Sequence, residues 1–252
     1  MSAQHPVTTA PRKLILLGAG ATNLHIAHTL FQKKITGLEL QCIASEEQLL
    51  PSALLPGVIA GTYDLTDSCM SVSKVLERYG VQCLNAKVKA ISSNSNSIQL
   101  NDKHTLNFDF LSINSTPAQH RDHIESIIPG AKKNGFFVYP IELFANHWNQ
   151  VCSNSKTTAL RIAVIGNSLR SMEIALAVRQ RLPEAAVTLI TQTGLNFSSV
   201  QDASTEAAHA LLKNALKNQR ITVLQDTALD CSASHVQLGC GAQLACDIPI
   251  IA

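Results

Sequence analysis

The 252-residue sequence predicts an α/β fold: two successive parallel-sheet units, with a small antiparallel β-meander hung on the first. Three observations carry this expectation. An apolar run, a glycine turn, a helical stripe and a second apolar run follow one another between Leu14 and Ala44, and the same order returns between Arg161 and Ile190. Short strand-like segments between Val81 and Ile113 are separated by polar turns. The composition is 46% hydrophobic but only 4% aromatic, a balance that suits layers of aliphatic side chains.

Residues 1–11 are polar, carry Pro6 and Pro11, and read as a loose tail. Leu14 to Leu17 is a continuous apolar run, as expected of a strand buried on both faces of a parallel sheet. After Gly18-Ala19-Gly20, Leu24, Ala27, Leu30 and Phe31 recur at helical spacing before Gly37. Leu38 to Ala44 is a second strand, and residues 71–79 read as a helix. Val81 to Ile91, Ile98 to Leu100 and Leu106 to Ile113 read as strands of the meander, with Ser92 to Ser97 as a polar turn. Ile141 to Val151 forms a helix carrying Trp148. The pattern then starts again. Arg161 to Ile165 is a strand, Gly166-Asn167-Ser168 a turn, and Leu169, Met172 and Leu176 a helical stripe stopped by Pro183. Val187 to Ile190, a helix over 204–218 and a strand from Ile221 to Leu224 follow. The two glycine turns, at Gly18 and Gly166, lie about 148 residues apart.

Several function classes fall away on bulk properties. A formal charge of +2 without a Lys/Arg cluster gives nucleic acid no footprint. The seven cysteines are scattered without a CxxC, which points to reduced thiols and a cytoplasmic setting. Arg12 and Lys13 before Leu14–Leu17 resemble a signal peptide superficially, but the apolar run is too short. No stretch approaches the ~20 apolar residues of a membrane span. The pairs His25/His28 and His120/His123 lack further ligands and read as surface or packing histidines, so no metal is expected. There is no GxSxG for acyl chemistry.

The first glycine turn carries the chemistry. Unpaired N–H groups and the helix dipole favour a diphosphate at a helix N-terminus. In a Rossmann-like turn the first glycine permits the sharp exit from the strand, the second removes a Cβ from the phosphate's path, and the third lets helix and strand pack closely. Gly18 and Gly20 hold the first two places and Asn23 the third, which requires the helix to stand slightly off the sheet. Glu46 and Glu47 lie one or two residues beyond the strand end at Ala44-Ser45, either as ribose partners or as solvated charges. The plain alternative is a tight βα turn that binds nothing.

Four segments carry a family resemblance: Leu14–Leu30; Leu54-Leu55-Pro56-Gly57-Val58-Ile59-Ala60-Gly61; Tyr139-Pro140-Ile141-Glu142 with Trp148; and Met172-Glu173-Ile174-Ala175-Leu176. From residue 12 onward the chain resembles the pyridine nucleotide-disulfide oxidoreductase superfamily. The nearest branch is the type II NADH dehydrogenase-like flavoproteins associated with selenide, water dikinase. The resemblance implies an FAD-binding domain over 12–120, a connecting segment with a helix over 121–157, and an NAD(P)H-binding domain over 158–252. It implies hydride transfer from NAD(P)H to FAD and on to a small-molecule acceptor such as a quinone. By position, Gly18, Ala19, Gly20 and Thr22 would line the FAD pyrophosphate, with Asn23 beside them. Ser45 and Glu46 would lie near the adenosine ribose, the backbone of Val88 near the adenine, and Leu55 and Pro56 near the flavin. Gly166, Asn167 and Ser168 would meet the NAD(P)H pyrophosphate, and Glu173 the nicotinamide. No catalytic side chain is assigned, membrane contact is left open, and a homodimer is allowed.

The departures are equally specific. The second turn has Asn167, Ser168 and Ser171 where small or absent side chains are expected, and Thr191-Gln192 supplies neither an acid nor an arginine for the ribose. Arg170 is read as a solvated helix charge rather than a 2′-phosphate ligand. Around Asn114-Ser115-Thr116-Pro117 the family has a glycine, with Thr116 the matching cofactor contact. Family members continue beyond the strand at Ile248–Ala252 into a returning FAD segment and an interface domain, so the chain reads as a C-terminally truncated member. No CxxxxC faces the flavin region, and Cys240 and Cys246 read as strand-packing residues. Two other readings stay open: a degenerate two-lobed module that binds a nucleotide or partner without turnover, and a flavin-free NAD(P)-dependent dehydrogenase.

Overall fold

The computed structural model describes residues 10–114, 119–154, 159–194 and 203–252. The chain divides into two compact units, one within Met1–Pro51 and Cys69–Thr116, the other within Ser52–Ser68 and Pro117–Ala252.

In the first unit, four parallel strands stand in the order Gln82–Asn85, Leu38–Ala44, Arg12–Leu17, Phe110–Ile113. The apolar run of the first strand is explained by burial on both faces. Leu16 faces a layer with Ala27, Cys42, Val72 and Leu76. Its neighbour Ile15 faces the opposite layer with Ile43, Ile98 and Leu100. The helix Ala21–Gln32 keeps Leu24 and Ala27 of its expected stripe against the core and buries Asn23 as well, while Phe31 is exposed and meets the Tyr79 ring at a tilt. Ser71 caps the helix Val72–Glu77 through the Lys74 N–H.

Two expected strands are each divided between sheets. Val81–Ile91 splits into Gln82–Asn85, which joins the parallel sheet, and Val88–Ser92, which opens an antiparallel meander with Ser97–Leu100 and Thr105–Asn107. The break follows the Ala86 N–H bond to the Ala44 carbonyl, where the chain leaves the sheet. Leu106–Ile113 likewise splits at Asp109. That residue pairs twice with the Lys13 backbone, the carboxylate accepting from its N–H and the amide donating to its carbonyl.

The second unit repeats the plan. Thr222–Gln225, Ala186–Thr191, Arg161–Ile165 and Ile248–Ile251 are parallel neighbours in that order, with Phe136–Phe137 added outside the last. A second meander, Ala228–Cys231, His235–Leu238 and Gln243–Ala245, lies between the third and fourth strands in sequence. This meander was not anticipated, since its strands of three or four residues carry His235, Gln237 and Gln243 on the outward positions. In both units three adjacent strands of the parallel sheet, a meander and then a strand that returns beside the first follow in sequence, with Phe136–Phe137 preceding them in the second unit. The repeat therefore extends well beyond the glycine turns. Cys240 corrects its expectation: it is exposed in the turn after Leu238, whereas Cys246 is buried.

The Leu54–Gly61 segment forms the helix Leu55–Ala60, with proline in its first turn and Gly61 closing it in the left-handed region at φ 73°. Within the second unit this helix packs against Leu169–Arg181 and Ile141–Asn154. Trp148, fully buried, donates from Nε1 to the Ile59 carbonyl at 2.9 Å.

Candidate functional site

At the first turn, Gly18 has φ +87°, a conformation that favours glycine. Its N–H bonds the Ile43 carbonyl at 2.8 Å, which closes the turn over the strand ends. Gly20 is the N-cap of the helix Ala21–Gln32 and has no capping side chain of its own. Asn114, just past the fourth strand, supplies one: its Oδ1 accepts from the Thr22 N–H at 3.0 Å. A Cβ on Gly20 would lie 2.2 Å from that same Oδ1 and 2.9 Å from the Asn114 carbonyl oxygen. The bare face of Gly20 thus admits an acceptor oxygen to the helix N-terminus, and an uncharged amide oxygen stands there. A diphosphate oxygen has the same acceptor chemistry with added charge, so the turn fits a dinucleotide once the Asn114 side chain swings away.

Asn23 is accommodated between helix and strand ends by hydrogen bonds. Its side chain is buried, and Nδ2 donates toward the carbonyls of Leu17 and Gly18 at 3.0 and 2.8 Å. Its Oδ1 accepts from the Ser112 hydroxyl at 2.7 Å. The carboxamide fills the space a third glycine would leave and ties the helix to two strand ends. Removing it with Asn23→Ala leaves those carbonyls short of a donor, and we expect a loss of about 1–3 kcal/mol in urea unfolding.

The other first-unit residues lie along the C-terminal sheet edge or on the meander. Ser45 donates its hydroxyl to the exposed Glu46 carboxylate at 2.6 Å, beyond the end of the second strand. Val88 opens the meander with its side chain in the apolar layer around Ile15 and Ile98, so its backbone is what it can offer a ligand. Thr116 lies outside the described residues.

In the second unit, Leu55 is fully buried in helix packing, and Pro56 is partly exposed in the first turn of the same helix. Arg170 donates to the Ser52 carbonyl at 3.1 Å, so it is engaged by the fold rather than simply solvated. Gly166 repeats Gly18: its N–H bonds the Ile190 carbonyl at 3.1 Å, and a Cβ there would lie 2.7 Å from the Ala252 oxygen. Ser168 repeats Gly20 as N-cap of the helix Leu169–Arg181 and forms a capping box with Ser171. Ser171, fully buried, takes the place of Asn23. Asn167 turns toward the second strand, its Oδ1 accepting from the Gln192 N–H at 2.7 Å and lying 3.0 Å from the Thr191 hydroxyl. Glu173 is partly exposed one turn into the helix.

Beside this turn lies a cleft of about 250 Å³, lined by Gly166, Asn167 and Gln192, by Asp226 and Thr227, and by a wall of isoleucines. It opens at the carboxyl ends of the parallel strands, where open α/β sheets bind ligands. A hydrogen bond from the Cys240 side chain, and next one from the Thr227 N–H, hold the Asp226 carboxyl below the usual aspartate range.

No family model and no curated protein sequence matches the chain. Solved structures do. The sulfide:quinone oxidoreductase of Aquifex aeolicus is 14% identical with a TM-score of 0.71, over 95% of this chain and 58% of that one. NDH2 of Plasmodium falciparum in complex with NADH is 17% identical with a TM-score of 0.73, over 96% of this chain and 55% of that one. The NAD-dependent persulfide reductase of A. fulgidus is 16% identical with a TM-score of 0.75, over 95% of this chain and 45% of that one. The chain shares the fold of these oxidoreductases. It spans about half their length. In this oxidoreductase fold the sheets with their meanders match the two Rossmann-like units expected from the sequence. Among the described residues, no helix is long and apolar enough to cross a membrane.

Proposed function

We propose that the chain is the dinucleotide-binding part of an FAD-dependent NAD(P)H oxidoreductase, with FAD at the first glycine turn and NAD(P)H at the second. The observation that carries this reading is the bare face of Gly20 at a helix N-terminus, in a unit whose strand order recurs around Gly166. Gly18, Ala19, Gly20 and Thr22 hold the FAD pyrophosphate. Ser45 and Glu46 serve the ribose and the Val88 backbone the adenine. Gly166, Asn167 and Ser168 hold the NAD(P)H pyrophosphate, with Glu173 toward the nicotinamide. When bound, FAD supplies the two-electron chemistry, accepting hydride from NAD(P)H and passing electrons to a small acceptor such as a quinone. The protein's part is to bind, orient and exclude water. Purified protein is expected to be yellow, to release flavin on acid treatment, and to reduce a dye with NAD(P)H. A colourless protein that takes up no added FAD overturns the reading.

The Thr22–Asn114 hydrogen bond favours a second reading, a two-lobed module that has given up flavin turnover. Its mark is nucleotide binding in a calorimetric titration without NAD(P)H-dependent dye reduction.

A further inference from the structure

The second strand of the second unit ends in Thr191-Gln192, which offers a ribose neither a carboxylate nor a cation. The neighbouring strand supplies what is missing there. Asp226 follows Thr222–Gln225, and its N–H donates to the Thr191 carbonyl at 3.2 Å, so its backbone lies directly beside the end of the second strand. The equivalent bond in the first unit is made by Ala86, which carries no charge. Asp226 lines the same cleft as Gly166 and Gln192. Its Oδ1 accepts from the Thr227 N–H at 2.7 Å and its Oδ2 from the Cys240 N–H at 3.4 Å, and the Cys240 side chain and the Gly239 N–H also donate toward it. The 3.4 Å bond from the Cys240 N–H is long, so a ligand hydroxyl that donates to Oδ2 would displace a weak partner rather than take a vacant lone pair.

From this placement, and resting on the dinucleotide reading above, we propose that Asp226 is the specificity residue of the second site: it accepts from the adenosine ribose hydroxyls and selects NAD over NADP. A ribose diol donates to a carboxylate, whereas a 2′-phosphate brings like charge against it and calls for Arg or Lys instead. Among the described residues lining the cleft there is no Lys or Arg. The sequence from Gln192 to Asp202 contains none either. The carboxylate is thus the formal charge that a 2′ substituent would meet from this wall. It is held ionised by its donors, so the preference persists across neutral pH.

Calorimetric titration of the whole chain with NAD⁺ and with NADP⁺ tests this without turnover. NAD⁺ is expected to bind at least about tenfold more tightly. Asp226→Asn should bring the two affinities within about threefold, while Asp226→Glu, which keeps the charge, should keep the preference. Far-UV circular dichroism and melting temperature establish that each variant is folded. Equal or tighter binding of NADP⁺ by the parent overturns the proposal. So does an unchanged ratio in folded Asp226→Asn, and in both cases the dinucleotide reading stands. Binding of neither nucleotide removes that reading as well.

Discussion

Replacing Gly20 with valine is expected to abolish flavin uptake, and replacing it with alanine to weaken it roughly 10- to 100-fold, the range set by forcing a methyl into a filled space. The difficulty is that a Cβ at Gly20 also meets Asn114, 2.2 Å from its Oδ1, so a single substitution could act by disturbing the fold. The double variant Gly20→Ala/Asn114→Ala separates the two effects. It removes the crowded carboxamide but leaves the Asn114 carbonyl oxygen 2.9 Å from the methyl and keeps the methyl on the phosphate face, so it should melt between Gly20→Ala and the parent and still fail to load FAD. Asn114→Ala alone frees the Thr22 N–H and should load FAD at least as well as the parent. Flavin absorbance after gel filtration reads all four proteins. If Gly20→Ala/Asn114→Ala loads flavin normally, the phosphate is not at this turn.

The largest stability change is expected at Trp148. Trp148→Ala should cost about 3–5 kcal/mol, the range for emptying a large aromatic site in a core. The indole is fully buried, stacks on Phe144 with ring centroids 6.4 Å apart, and satisfies the Ile59 carbonyl. For a chain of this size, that corresponds to a fall of about 6–20 °C in melting temperature, at roughly 2–4 °C per kcal/mol. Trp148→Phe keeps much of the volume but orphans the carbonyl, so it should cost about 1–3 kcal/mol. Since Trp148 is the sole tryptophan, circular dichroism rather than intrinsic fluorescence should follow the transitions. A change below 1 kcal/mol for the alanine variant would mean that the Leu55–Ala60 helix does not depend on this anchor.

The two openings were legible in the sequence because a strand buried on both faces shows an unbroken apolar run, and Leu14–Leu17 and Ile162–Ile165 are such runs. The glycine turn was legible because Gly18 needs positive φ and Gly20 needs a bare face, and these demands leave a mark on residue type. Which sheet a short strand joins leaves no such mark. Periodicity along Val81–Ile91 is the same whether its two halves pair with one sheet or two, and only the Ala86 bond to Ala44 settles the division. The second meander hid for the same reason. Its nearest signal was the pair Val236 and Leu238 before the turn at Gly239–Gly241, read against the first unit's Ile98 and Leu100. At the site, Asn23 was read as an obstacle because a side chain at the third position was expected to take up room; in the structure its amide is a set of hydrogen bonds. Asp226 escaped altogether, and Asn114 stood out only as part of a segment where the family has a glycine and not as a cap, since each reaches its turn from a strand distant in sequence.

The Asn114 cap also bears on the order of events as the chain matures. A helix start whose donors are left bare is the first part of such a unit to fray, and it waits on its ligand to become rigid. Here the amide closes the Thr22 donor from within, so the empty unit has little to gain in order when a diphosphate arrives. Loading then becomes an exchange of one acceptor for another. The ligand-free form should resist proteolysis at this turn nearly as well as the loaded one, and the rise in melting temperature on loading should be modest for the affinity measured.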